Sequence, residues 1–324
     1  MKNLLRVFVV LFLLAGLVVG IGGCLLAQEK AYTVYVVVHG GIGDPYWKKV
    51  EKGVKDAAAL YPDLNVIYTG PEVFNFEKFM GYLEGALAAR PDGLIVTITS
   101  PPAMDELLRG AIAEGLPVIA IDSPDTRLPG KRIPYISYIG EIPYEGGVLG
   151  ARETLRTFRP KRTIYGNHHP GALNIQERGQ GWIDVMRDEG IPSEPLDITE
   201  DPVKGAEIML SYITAHPDTD CVFTGNMLRA ETLVIRLEEE GMKPGVDVKI
   251  STFGVTPTTL EMIEDGKIIF SIDEQPYMQG YLGVEFMYLQ MKYGFTPPRE
   301  IPTLGLFPEE KIGLLRELVE QGYR

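Results

Sequence analysis

Two doubly wound, parallel-sheet α/β lobes are the fold that this sequence predicts, and three observations carry the expectation. Short apolar, β-branched stretches alternate with helix-length amphipathic ones, the pattern of linked βαβ units. That alternation runs through 33–121, breaks at a loop rich in proline and charge, and starts again at 135. The chain has 324 residues, long for a single compact core and comfortable for two of about 150.

The elements follow in order. The stretch 33–38 is continuously apolar and suits a strand covered on both faces. Pro45 opens a helix whose apolar face is marked by Val50, Val54, Ala57 and Ala58 at three- and four-residue spacing. Strands at 64–68, 93–98 and 118–121 alternate with helices at 76–89 and 102–114. In the second half, strands at 135–139, 162–165, 221–223, 248–252 and 268–272 are expected. Helices at 144–158, 175–189, 203–215, 228–240, 258–264 and 276–292 lie among and after them. Open α/β sheets bind ligands beyond the carboxyl ends of their strands, so two facing sheets make a cleft.

Composition excludes several classes. Hydrophobic residues make up 45% and charged residues 23%, an ordinary globular balance. A net charge of −13 and an isoelectric point near 4.9 oppose a phosphate backbone, so no nucleic-acid partner is expected. Two cysteines, Cys24 and Cys221, cannot build a disulfide scaffold or a four-cysteine zinc site. Cys221, in Asp220-Cys221-Val222-Phe223, reads as a small buried strand residue.

The amino terminus stands apart from the fold. Lys2 and Arg6 precede an uncharged run from Val7 to Ala27 that closes on Ile21-Gly22-Gly23-Cys24. That ending resembles the lipobox of bacterial lipoproteins, which makes Cys24 the expected lipidation site and 1–27 a signal and lipobox region. The alternatives are ordinary secretory cleavage after Leu25-Leu26-Ala27 and an uncleaved anchor. Each places the rest of the chain outside the cytoplasm.

Catalytic and cofactor motifs find little support. In Gly40-Gly41-Ile42-Gly43-Asp44-Pro45 the third small residue of a dinucleotide turn would fall on Tyr46, and Asp44 would repel a pyrophosphate. His168 and His169 are adjacent, so their side chains diverge, and neither His39 nor His216 has ligand spacing to them. They read as a surface loop, and no metal or cofactor is expected. No Gly-x-Ser-x-Gly elbow is present, and no nucleophile–base pair is apparent. Polar and aromatic residues do gather after the strands: Asp44, Tyr46 and Trp47, then Asp122, Asn226, Phe253, and Asp273-Glu274-Gln275. Carboxylates accept hydrogen bonds from hydroxyl groups and aromatic faces cover the CH faces of a sugar ring, which suits a neutral polyol.

At these residues the chain closely resembles the type 1 periplasmic sugar-binding proteins, the ribose-, galactose-, xylose- and inositol-binding components of ABC transporters. The resemblance covers 32–306 and rests on Gly43-Asp44-Pro45-Tyr46-Trp47, Pro91-Asp92-Gly93, the stretch from Gly115 to Asp122, and Glu177-Arg178-Gly179-Gln180-Gly181-Trp182. Ala215-His216-Pro217-Asp218 and Asp273-Glu274-Gln275-Pro276-Tyr277 complete it. It implies ligand contacts from Asp44, Tyr46, Trp47, Asp122, Gln176, Asn226, Asp273 and Glu274. It further implies a multi-segment hinge, with one lobe at 31–140 plus 276–302 and the other at 141–275 plus 303–324. The implied function is non-enzymatic capture of a monosaccharide or cyclitol, myo-inositol included, by a monomer in the periplasm or on the outer face of the cytoplasmic membrane. Its implied partners are a membrane ABC permease with its ATPase, and the membrane itself through a lipid anchor. Ile142-Pro143, Gly254, Met227 and Ser123 depart from the family pattern and argue against ordinary ribose or galactose. The alternatives are a chemosensory receptor, a lactose-repressor-like regulator, and a secreted α/β enzyme. The regulator would require a basic helix-turn-helix where the apolar leader stands.

Overall fold

The computed structural model describes residues 32–41, 43–306 and 312–324. The leader, with Cys24, lies outside these residues. In the first lobe β1 (Tyr32–Val37), α1 (Pro45–Ala58), β2 (Leu64–Thr69), α2 (Phe76–Ala88), β3 (Gly93–Val96), α3 (Pro101–Ala113), β4 (Val118–Ile121) and β5 (Ser137–Gly140) follow one another. The second lobe takes α4 (Pro143–Thr157), β6 (Arg162–Asn167), α5 (Leu173–Asp188), β7 (Ser193–Asp197), α6 (Pro202–Ala215), β8 (Thr219–Thr224) and α7 (Met227–Glu239). It continues with β9 (Lys249–Phe253), α8 (Pro257–Glu264) and β10 (Phe270–Asp273). Then α9 (Pro276–Tyr293) and β11 (Glu300–Pro302) return to the first lobe, and β12 (Gly305–Leu306) and α10 (Ile312–Glu320) to the second.

The sheets run β11-β5-β4-β3-β1-β2 and β12-β10-β9-β8-β6-β7, the same winding twice. Every pairing is parallel except β10 with β12. All four residues of β3 and of β4 are buried, as covered parallel strands require. β7 was not expected. Its Ser-Glu-Pro-Leu-Asp sequence carries no strand signal, and it pairs only with β6, at a sheet edge where proline is tolerated.

In each lobe a pair of helices crosses at touching distance on glycine. A Cβ on Gly53 of α1 would stand 2.1 Å from the Tyr277 carbonyl oxygen of α9, and one on Gly280 2.2 Å from that of Val50. On Gly147 of α4 it would stand 1.9 Å from the Arg178 carbonyl oxygen of α5. Gly147→Ala therefore forces α4 and α5 apart. It is expected to lower the unfolding free energy by at least the ~1–3 kcal/mol of an overpacked core. Chemical denaturation should read this as a lower midpoint with an unchanged slope.

The chain passes between the lobes at 141–142, 274–275 and 303–304, and hydrogen bonds sew these crossings together. Thr303 donates through its backbone N to Gly140 O (3.0 Å) and through Oγ1 to Glu274 O (2.7 Å). Gln279 Nε2 also reaches Glu274 O (2.9 Å), and Gln275 Nε2 reaches Thr303 O (2.8 Å).

Candidate ligand-binding cleft

The carboxyl ends of both sheets face one cavity of about 460 Å³, walled by both lobes. Its first-lobe wall begins after β1. Asp44 Oδ1 accepts from Tyr46 N at 2.8 Å and caps α1, and Pro45 fills the first helical position. This entry turns Tyr46 and Trp47 inward. Trp47 lies over Gly40, where a Cβ would come within 1.6 Å of the indole Nε1, so glycine alone leaves room for the ring. Its ring also meets those of Tyr46 and His39 edge-on, at 4.9 and 5.0 Å between centroids.

Asp122 follows β4 with a φ of 61°, a left-handed conformation that aspartate tolerates better than most side chains. Its Oδ1 accepts from Tyr46 Oη at 2.6 Å. Its Oδ2 has no hydrogen-bond partner and stands 3.9 Å from His39 Nδ1, which has none either. Burial, with the charge of Glu274 behind it, pushes the Asp122 carboxyl up to about 7. Burial, then the charge of His169, holds His39 well below the usual imidazole range.

The second-lobe wall comes from the residues after β6, the inner face of α5 and the start of α7. His168 and His169 form part of the cavity wall, which corrects the expected surface loop; His168 is only 4% exposed. Phe74, from the first lobe, stacks on His169 with centroids 4.7 Å apart and planes 16° from parallel. Asn226 caps α7, its Oδ1 accepting from Leu228 N (2.9 Å) and from Arg229 Nη1 (3.1 Å). Arg229 Nη2 in turn meets Glu200 Oε2 at 3.0 Å, and Glu200 also pairs with His169.

Two expected site residues lie elsewhere. Gln176 is exposed on the outer side of α5, while Asn174 and Arg178 hold the inner side. Two positions along a helix turn a side chain by about 200°, which accounts for the difference. Asp273 does not line the cavity. Its carboxylate accepts from Gln275 N (2.9 Å) and pairs with Arg324, whereas the next residue, Glu274, does face the cleft.

Arg178, to which the sequence pattern assigns no role, organises the cleft floor. It is 2% exposed, with its guanidinium 3.7 Å from the centre of the Phe253 ring. Nε donates to Glu141 Oε1 (2.9 Å), Nη1 to Gly225 O (2.8 Å) and Nη2 to Glu274 Oε1 (2.5 Å). Glu141 and Glu274 belong to two of the hinge crossings. One guanidinium thus binds two buried carboxylates, and burial pushes Glu141 up to about 8 against the pull of Arg178.

Contacts between the lobes close the cleft. Besides Phe74 on His169, Lys49 Nζ donates to Val255 O and Thr126 Oγ1 to Glu177 Oε1 (2.5 Å). Met227 of α7 packs into the first lobe's core. The cavity wall carries buried polar atoms without partners: His39 Nδ1, Asp122 Oδ2, His168 Nδ1, His169 Nδ1 and Asn174 Oδ1. Rings and unused hydrogen-bonding atoms facing one space form a binding site for a ligand with apolar faces and a polar rim. Among the described residues no group of three His, Cys, Asp or Glu could hold a metal ion, and no helix is long and apolar enough to cross a membrane. Cys221 is buried on β8, its thiol pushed up to about 12 by burial.

Comparisons with known proteins agree with this geometry. The family model described as "Periplasmic binding protein domain" matches residues 34–294. The xylose/arabinose-binding protein of Sulfolobus acidocaldarius is 28% identical over 266 residues, which are 76% of this chain and 63% of that relative's length. Among solved structures, a periplasmic sugar-binding protein of an ABC sugar transporter from Legionella pneumophila superposes with a TM-score of 0.78 at 26% identity. That match covers 85% of this chain and 100% of the other. A carbohydrate transporter from Acidothermus cellulolyticus, solved with myo-inositol, has a TM-score of 0.80 at 23% identity, covering 90% of this chain and 99% of the other.

Proposed function

Because this chain belongs to the periplasmic binding protein domain family, we propose that it is a lipid-anchored extracytoplasmic receptor. It closes on a neutral monosaccharide or cyclitol and hands it to an ABC permease driven by its ATPase. The lobes that close are 31–140 with 276–302, and 141–275 with 303–324, a division supported by the membership of the two sheets. The receptor acts as a monomer, binding without turnover.

The observation that carries this reading is the cavity wall. Its volume of about 460 Å³ lies within the ~300–1,000 Å³ range of small-molecule pockets. Trp47, Phe74 and the imidazoles supply ring faces, and Asp44, Asp122 and Asn174 supply acceptors for hydroxyl groups. Both arginines in the wall are already engaged, Arg178 with Glu141 and Glu274, and Arg229 with Glu200. A ligand anion would meet no unpaired guanidinium there, which favours a neutral ligand. The relatives support the same class, one named a xylose/arabinose-binding protein and another solved in complex with myo-inositol.

A thermal-shift screen of pentoses, hexoses, their alditols and inositols, with amino acids and nucleosides beside them, tests it. A sugar or cyclitol that binds only the folded protein stabilises it by about 2.7 kcal/mol at a hundredfold excess over Kd. At least one member of the panel is expected to raise the melting temperature accordingly. A response confined to amino acids or nucleosides would overturn the reading.

A further inference from the structure

The pole of the first lobe that faces away from the cleft carries an unbroken run of aromatic rings. Tyr61 stacks on Tyr288 at 3.7 Å, and Tyr288 meets Tyr32 and Tyr293 edge-on at 6.3 and 6.4 Å. Phe295 extends the run from Tyr293 at 6.1 Å. The last two are exposed, Tyr293 by 61% and Phe295 by 62%, although burying rings of this size is strongly favourable. The pole is also firmly built. Lys292 Nζ binds Asp63 Oδ2 at 2.6 Å, and Tyr288 Oη binds Asp63 Oδ1 at 2.9 Å, tying the end of α9 to the start of β2.

This pole is where the chain enters the fold, because Tyr32 is the first residue of β1. Only residues 25–31 separate it from Cys24, and at ~3.3–3.6 Å per residue the step from Cys24 to Tyr32 spans less than about 30 Å. A lipid on Cys24 thus keeps this pole within reach of the bilayer. Tyrosine suits the boundary between headgroups and acyl chains, where its ring buries its body and leaves the hydroxyl in water, and the phenylalanine ring beside it adds apolar surface to bury.

We propose that, while the receptor is not docked on its permease, Tyr293 and Phe295 insert into the lipid surface and seat the first lobe on the membrane, with the cleft directed away from it. The proposal rests on the lipid-anchored reading above. The strands of the first sheet run from this pole toward the cleft, so seating the pole fixes which way the cleft looks. An acyl anchor alone would leave the protein free to tumble on its tether.

The test uses the full-length acylated chain floated with phosphatidylcholine vesicles, with or without bromine on the upper acyl carbons. Trp47 and Trp182 are buried and give a constant background, so Phe295→Trp adds a reporter at the pole. Val246→Trp places one at the amino-terminal edge of the second sheet, at a residue 69% exposed. Brominated lipid is expected to quench the added Phe295→Trp emission by about twofold and leave Val246→Trp unchanged. Equal emission from Phe295→Trp in both lipids, on protein that floats with the vesicles, would overturn the seating and leave the anchor intact. Wild-type protein that stays behind like Cys24→Ala, with no lipid mass, would remove the anchor and the seating together.

Discussion

Replacing Arg178 with methionine is expected to lower the melting temperature of the ligand-free protein by on the order of 10 °C at pH 8. The substitution strands two buried carboxylates, Glu141 at 1% exposure and Glu274 at 5%, beside Asp122. Removing one partner of a buried ion pair destabilises by roughly 3–5 kcal/mol, because the remaining charge has lost its water and its counter-ion. The loss should shrink at pH 5, where the stranded carboxyls take up protons. Arg178→Met combined with Glu141→Gln and Glu274→Gln should recover much of it. Thermal denaturation of wild type, Arg178→Met and the triple variant at the two pH values checks this. An unchanged melting temperature would make Arg178 a ligand contact alone and the hinge bracket unnecessary to the fold.

Asp122→Asn should separate binding from stability in the opposite sense. Asparagine tolerates the left-handed backbone at 122 and can still accept from Tyr46, so the fold is preserved. It lacks the charged oxygen, and hydrogen bonds to a charged group contribute ~1.5–3 kcal/mol. Affinity for the sugar giving the largest thermal shift should therefore fall at least about tenfold. Stability moves the other way. The Asp122 carboxyl is pushed up to about 7 in the folded protein from an ordinary 3.8, so between those values the unfolded chain has released a proton that the folded one retains. In that window this group makes stability decline as pH rises, and above about 7 the penalty is constant. Asp122→Asn removes the decline and should leave the ligand-free protein more stable than wild type at pH 8. Urea midpoints at pH 5 and pH 8, with calorimetric titration of the sugar, read both effects. A variant that binds normally but unfolds earlier would make Asp122 a structural acceptor.

Part of the first-lobe wall was legible because those residues follow strand ends directly, whereas Phe74, in the loop after β2, carried no such signal. Asp44-Pro45-Tyr46-Trp47 and the Asp122 after Val118–Ile121 needed only the rule that parallel strands present ligands at their carboxyl ends. The second-lobe wall lies on helices, where phase decides which side chain faces in. The motif gave the helix but not its rotation, so Gln176 was read in place of Arg178. Arg178 itself is hidden from pattern reading. A charged residue on an amphipathic helix ordinarily marks the solvent face, and only its burial between Glu141 and Glu274, distant in sequence, reveals otherwise. Asp273 and Glu274 differ by one position at the end of a strand, and successive side chains there point to opposite faces. His168 and His169 failed a test for metal spacing, but they serve as rings in a wall, which that test does not address.

The interleaving of the two sheets has a consequence for when the protein can fold. The first sheet takes its last strand from Glu300–Pro302, and α9, at Pro276–Tyr293, packs on α1 at Pro45–Ala58. Neither partner of these long-range pairings can be satisfied until nearly the whole chain is available, and such non-local contacts form slowly. A chain made from its amino terminus therefore carries an incomplete first lobe for most of its synthesis. The strand that completes the first lobe, Glu300–Pro302, is among the last segments to be made.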